Sequence, residues 1–174
     1  GPGAGKTHVL IGRVRHLVGA GVAPRRIAVV TYTNSARDEL RDRLADALGD
    51  VERGPFVGTI HQLCLSLIQR AAGADAGRVR VLDPTAAERL FAVQAAGAEA
   101  GDPRRLLSEL NLAWERYDGS TGAPGAERLA VWDRFARLLR DTGLATFTTL
   151  QLRALDEIQA GLAGLPTHVL VDEF

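Results

Sequence analysis

Apolar positions Leu10, Val14, Leu17 and Val18 return every three or four residues, the spacing of one face of an α-helix, until Gly19-Ala20-Gly21 and Pro24 end the run. The period then changes. Arg26-Ile27-Ala28-Val29-Val30-Thr31-Tyr32 has almost no polar alternation and reads as a buried strand. Ala36, Leu40, Leu44 and Leu48 mark one face of a second helix, Phe56-Val57-Gly58-Thr59-Ile60 a shorter strand, and about 61–72 a third helix. Strands alternating with helices predict a doubly wound parallel α/β sheet over residues 1–80.

Beyond residue 80 the pattern becomes helical. Between Leu82 and Thr167 there is no convincing buried strand and there are at least four helical stretches. Asp83-Pro84 and Asp102-Pro103 each offer an N-cap followed by proline at the first helical position. Helical stripes follow at Leu106, Leu110, Ala113 and Tyr117, at Leu129, Trp132, Phe135 and Leu139, and at Phe147, Leu150, Leu155 and Ile158. Gly119 to Gly125 is a polar, Gly-rich loop. The buried-strand pattern returns at His168-Val169-Leu170-Val171-Asp172. The expected organisation is an α/β core over 1–80, an inserted all-helical subdomain over 81–165, and a return strand of the core over 166–174.

Composition narrows the class without deciding it. The 174 residues are 46% hydrophobic, enough for a core, and the formal net charge is zero, so any nucleic-acid binding must come from a local surface. No apolar run reaches membrane-spanning length and no signal-peptide pattern is present, which gives a cytoplasmic, membrane-free expectation. The single Cys64 excludes an internal disulfide and, beside Leu63, Leu65 and Leu67, reads as core. His8, His16, His61 and His168 have no metal-ligand spacing.

Chemistry enters at the two ends. Gly1-Pro2-Gly3-Ala4 fill the variable positions of the phosphate-loop pattern G-x-x-x-x-G-K-[ST], and Gly5-Lys6-Thr7 complete it. Its first residue and its preceding strand fall before residue 1, so the chain is expected to be a segment of a longer protein. Glycines let successive backbone N–H groups turn toward a polyphosphate, and the following helix adds its positive N-terminal end. Lys6 would reach the β- and γ-phosphates, and the Thr7 hydroxyl would ligate Mg²⁺. Lys6 is the only lysine among 21 basic residues, at the one place where a compact ammonium suits the task better than a guanidinium. At the other end, a strand delivers Asp172 and Glu173 to its carboxyl end. Asp172 would hold the Mg²⁺, mainly through water, and Glu173 would orient and deprotonate the attacking water.

Two further segments give the chain a resemblance. Thr31-Tyr32-Thr33-Asn34-Ser35-Ala36 with Glu39-Leu40 resembles motif Ia, and Gly58-Thr59-Ile60-His61-Gln62-Leu63-Cys64 resembles motif Ib, of the UvrD/Rep-like DNA helicases of superfamily 1. Val171-Asp172-Glu173-Phe174 is similar to their motif II, which normally continues Gln-Asp. The resemblance implies a P-loop, RecA-like parallel sheet, incomplete here, with a helical subdomain inserted between motifs Ib and II. It also implies an ATP- and Mg²⁺-dependent motor that tracks along single-stranded DNA and opens the duplex ahead, in repair or replication. The implied nucleotide site is Gly1, Pro2, Gly3, Ala4, Gly5, Lys6, Thr7 and His8, with Lys6 and Glu173 catalytic and Thr7 and Asp172 on the metal.

Thr33, Asn34, Thr59 and His61 are the implied DNA contacts, at strand ends and helix starts where hydroxyl, amide and N–H groups can hold phosphates. For Thr33-Asn34 a helix cap, and for His61 a structural role, are alternatives. Three positions depart from the usual pattern: Ser35 where relatives often have lysine, Ile60 where phenylalanine is common, and His8 where a basic residue often follows. Ser35 removes one cationic DNA contact. Ala145-Thr146-Phe147 also lacks an expected Asp-Phe pair.

Besides DNA, the implied partner is a second RecA-like domain of the same polypeptide, which supplies transition-state charge stabilisation. The 174 residues alone are therefore expected neither to unwind DNA nor to hydrolyse ATP at a useful rate. The alternatives are the motor subunit of a helicase–nuclease complex and a non-catalytic nucleotide- or DNA-binding module.

Overall fold

A computed structural model describes residues 4–49, 54–73, 79–96, 101–115 and 125–172. The chain is mixed α/β and divides into two compact units, Gly1–Ala71 with Asp156–Phe174, and Ala72–Leu155.

The first unit is built on three parallel strands in the order β2 (Phe56–Thr59), β1 (Ile27–Thr31), β5 (His168–Asp172). Every residue of β1 is buried. Its side chains alternate between two cores, which is why the sequence shows an unbroken apolar run rather than alternation. Ile27 and Val29 pack with Leu10, Val14 and Leu17 of α1 (Ala4–Gly19) and with Leu40 and Leu44 of α2 (Asn34–Leu48). Ala28 and Val30 face the other way, onto Leu63 and Leu67 of α3 (Ile60–Ala72). Cys64 is buried on α3, and burial pushes its thiol pKa up.

Two strand expectations are corrected here. Tyr32 does not continue the buried strand: β1 stops at Thr31, and Tyr32 is 86% exposed. The final strand is not buried throughout either, since Val169 is 54% and Val171 46% exposed. Among the described residues β5 lies at the sheet edge, paired to β1 alone, and only Asp172 at its end is buried.

The second unit gathers α4 (Pro84–Ala95), α5 (Pro103–Glu115), α6 (Ala126–Asp141) and the first part of α7 (Phe147–Gln159). The two proline-led starts form as expected: Asp83 Oδ1 accepts from Ala86 N at 2.9 Å, and Asp102 Oδ1 accepts from Arg104 N at 3.1 Å. Phe91, Leu106, Leu110, Val131, Trp132, Phe135 and Leu139 make the core, with Phe91 and Phe135 edge to face at 5.1 Å. Tyr117 and all of the Gly119–Gly125 loop except Gly125 lie outside the described residues.

The helical region holds two surprises. Arg80–Val81 (β3) and Leu144–Ala145 (β4) pair as a two-residue parallel ladder, too short for any period to reveal. The stripe assigned to α7 is also out of phase: Leu150 is buried, but Phe147, Leu155 and Ile158 are 48%, 47% and 39% exposed. Thr148, Thr149 and Ala154 are buried instead. Hydroxyls set this phase. Thr146 N donates to Thr149 Oγ1 at 2.8 Å and Thr149 N donates to Thr146 Oγ1 at 3.2 Å, a reciprocal cap that satisfies the polar groups it buries.

Candidate functional site

In a parallel sheet all strands deliver their carboxyl ends to one edge. The register here aligns Thr59 of β2 with Thr31 of β1, and Thr31 with Asp172 of β5. Helices α2 and α3 begin just past this edge, so their positive N-terminal ends gather there.

Lys6 and Asp172 are 166 residues apart in sequence and line one cleft of about 800 Å³, with Gly5, Val9, Leu10, Arg13, Leu170 and Val171. Lys6 is exposed on the first turn of α1, a turn without acidic residues, and Asp172 is 9% exposed at the end of β5. Thr7 and His8 follow on the same turn, half-buried and exposed respectively, and neither lines the cleft. Ala4 opens α1. Gly1, Pro2, Gly3 and Glu173 lie outside the described residues.

The fit to Mg²⁺ rests on the donors present. Asp172 is a largely buried residue with no ion pair among the described residues, and Thr7, next to Lys6 on α1, carries a hydroxyl. Oxygen donors few in number suit Mg²⁺, which keeps several waters and takes its remaining ligands from phosphates. No group of three His, Cys, Asp or Glu side chains able to hold a metal occurs among the described residues.

Thr33 and Thr59 occupy equivalent places at the strand-to-helix junctions. Thr33 is the N-cap of α2, its Oγ1 accepting from Ala36 N at 3.2 Å, so the capping alternative holds. Asn34 Oδ1 accepts from Arg37 Nη1 at 3.1 Å. At α3 the cap is reciprocal: Gln62 N donates to Thr59 Oγ1 at 3.3 Å and Thr59 N donates to Gln62 Oε1 at 2.9 Å. His61 is half-buried on the first turn of α3. Gly58, just before this cap, has no room for a side chain, because an added Cβ would stand 2.6 Å from Phe56 Cζ.

The residue that periodicity misplaced is Tyr32. It joins Val30, Thr31, Thr33, Ala36, Ile60, Val169 and Val171 around an apolar cleft of about 620 Å³ at the same edge. Of the four sequence-nominated DNA contacts, Thr33 lines this cleft, while Asn34, Thr59 and His61 do not. Its neighbour in the motif was the available signal: an aromatic immediately before a capping Thr-Asn is where a strand leaves its core.

Comparison with known proteins adds an independent line. The model of the UvrD/REP helicase N-terminal domain matches residues 1–120. The protein named ATP-dependent DNA helicase UvrD1 of Mycobacterium tuberculosis is 30% identical over all of this chain and 26% of its own length. ATP-dependent DNA helicase PcrA of Leuconostoc citreum is 35% identical over 70% of this chain and 15% of its own length. ATP-dependent DNA helicase Rep of Escherichia coli is 42% identical over 42% of this chain and 11% of its own. The chain thus spans about a quarter or less of the length of these relatives.

Proposed function

Because the chain belongs to the UvrD/REP helicase family, we propose that it is the nucleotide-binding part of an ATP-dependent DNA helicase or single-strand translocase. The observation that carries this reading is the cleft shared by Lys6 and Asp172 at the carboxyl edge of the sheet. On this reading the first unit is a RecA-like core and the second a helical subdomain inserted into it.

Each residue then has a defined task. The ammonium of Lys6 binds the β- and γ-phosphates of ATP, and the α1 N-terminus adds its N–H groups. Thr7 and Asp172 would hold Mg²⁺, which when bound neutralises charge on the phosphates. Glu173 takes the proton of the attacking water. Thr33, Asn34, Thr59 and His61 hold phosphates of a single DNA strand, and Tyr32, exposed beside them, offers a face on which a base can stack. In the complete protein a second RecA-like domain supplies the charge that stabilises the transition state, so the 174 residues alone neither hydrolyse ATP usefully nor unwind DNA. Repair or replication is the setting such a motor would serve.

The test is single-strand-stimulated ATP turnover by the complete protein. Lys6→Ala is expected to abolish it through lost phosphate binding, and Glu173→Gln to leave ATP bound but unhydrolysed. Near-normal turnover by Lys6→Ala would remove the central assignment.

A further inference from the structure

The opposite, N-terminal edge of the sheet carries a second concave surface. Arg25, Arg26, Arg70 and Gly164 line a cleft of about 360 Å³ there, wholly within the first unit. Arg25 and Arg26 close the 3-10 turn Pro24–Arg26 immediately before β1, Arg70 lies in the last turn of α3, and Gly164 precedes β5. With β1 five residues long, this cleft and the Lys6–Asp172 edge are separated by roughly 15 Å of strand.

Three features distinguish it from an ordinary arginine-rich surface. First, its side chains are all cationic, and among the described residues Arg25 and Arg26 make no ion pair. In a chain with 21 basic and 21 acidic residues, three converging guanidiniums without a carboxylate among the lining residues are a local imbalance. Second, the Arg70 guanidinium and the backbone that carries Arg25 and Arg26 are held in place. Arg70 Nη1 donates to Gly164 O at 2.6 Å, Thr167 N donates to Arg26 O at 2.8 Å, and Pro24 fixes the turn from which both other arginines project. Third, the lining includes no apolar or aromatic side chain. It has nothing to bury a peptide's side chains or stack a base, but many N–H donors for an oxyanion with several oxygens.

We infer that Arg25, Arg26 and Arg70 form a second, sequence-independent contact for the phosphate backbone of DNA, on the edge of the sheet away from the nucleotide cleft. The choice of DNA as the carrier of the phosphate rests on the function proposed above. Such contacts fix position without reading bases, and each cation placed on a phosphate releases counterions from the strand.

The experiment is fluorescence anisotropy of the full-length protein on labelled single-stranded and duplex DNA of mixed sequence across a salt series. Replacing all three residues with glutamine should weaken binding at least tenfold at low salt. On single strands it should flatten the plot of log affinity against log salt by about 2, at ~0.7 per lost contact. Arg25→Gln/Arg26→Gln, which keeps the Arg70–Gly164 bond, should flatten it by about 1.4 by the same scale. Arg43→Gln, on an arginine paired with Glu39, should leave the slope unchanged. An unchanged slope in both multiple variants, with tight binding by the unaltered protein, would overturn this inference alone. Failure of the unaltered protein to bind DNA would overturn the DNA-motor reading and this inference with it. Loss of polyglutamate binding with the DNA slope intact would assign the cleft to an acidic protein partner and overturn it too.

Discussion

Substituting Gly58 by alanine tests how the sheet and the α3 cap are joined. Phe56 and Gly58 lie two apart on β2 and point to the same face, so the ring lies across the glycine. A Cβ there would stand 2.6 Å from Phe56 Cζ and 2.8 Å from Cε1, where carbon atoms prefer about 3.5–4.0 Å. The ring must therefore move by about 1 Å, away from the Ala28, Val30, Leu63 and Leu67 cluster it packs on. The same Cβ would be 3.0 Å from Gln62 Oε1, which accepts the Thr59 N–H. Overpacking of this kind costs about 1–3 kcal/mol, and a weakened hydrogen bond adds up to about 1. Because Phe56 is only half-buried and can swing partly outward, we expect about 2 kcal/mol in all.

Two observables separate this from general damage. Trp114 and Trp132 both belong to the helical unit, so tryptophan fluorescence follows that unit, whereas hydrogen exchange in peptides over β2 and α3 reads the site of the change. Exchange there should accelerate and the far-ultraviolet circular dichroism midpoint in urea should fall. In a Phe56→Leu background, Gly58→Ala should cost less than half as much, since the clashing ring atoms are gone. Equal cost in both backgrounds, or no change in exchange, would refute the reasoning.

Tyr32→Ala should leave the melting temperature unchanged, because the side chain is 86% exposed, while weakening single-strand binding by about 1–3 kcal/mol in an anisotropy titration. Phe135→Ala should destabilise the helical unit by about 3–5 kcal/mol, read by the fluorescence of Trp132, whose ring centre lies 6.2 Å away. Cys64 should label slowly with a thiol reagent in the folded chain, with a pH onset above that of a free cysteine. Its folded pKa is raised by burial, so the stability that depends on the neutral thiol is complete below the unfolded pKa and is lost as pH rises through the folded one.

What could be read in advance divides along physical lines. The four apolar residues Ile27-Ala28-Val29-Val30 announced β1 because both of its faces are covered, and Asp83-Pro84 announced α4 because cap and proline act within one turn. Residues whose environment depends on distant chain were less legible. The same apolar run in β5 is half exposed because a strand's burial depends on its neighbours, which its own residues do not encode. In α7 the inward phase of Thr148 and Thr149 over Phe147 accompanies a hydroxyl exchange between Thr149 and Thr146 rather than hydrophobicity. Lys6 and Asp172 were each nominated from local motifs, but only the parallel register of β1 and β5 explains how one cleft holds both. The Arg25, Arg26 and Arg70 cluster gave no sequence signal, since its third member joins from 44 residues away.

The cap at Thr33 has a consequence for how this surface can evolve. Its oxygen accepts from the start of α2, which leaves the hydroxyl's one hydrogen, its only donor, free for an anionic ligand. On the function proposed above, helix initiation and phosphate recognition are thereby written on a single hydroxyl. Serine preserves both, asparagine can cap with its oxygen and donate with its amide nitrogen, valine loses both, and aspartate keeps the helix while turning a donor toward phosphate into a repelling charge. A lineage that drifted to aspartate here would retain its fold and lose its grip.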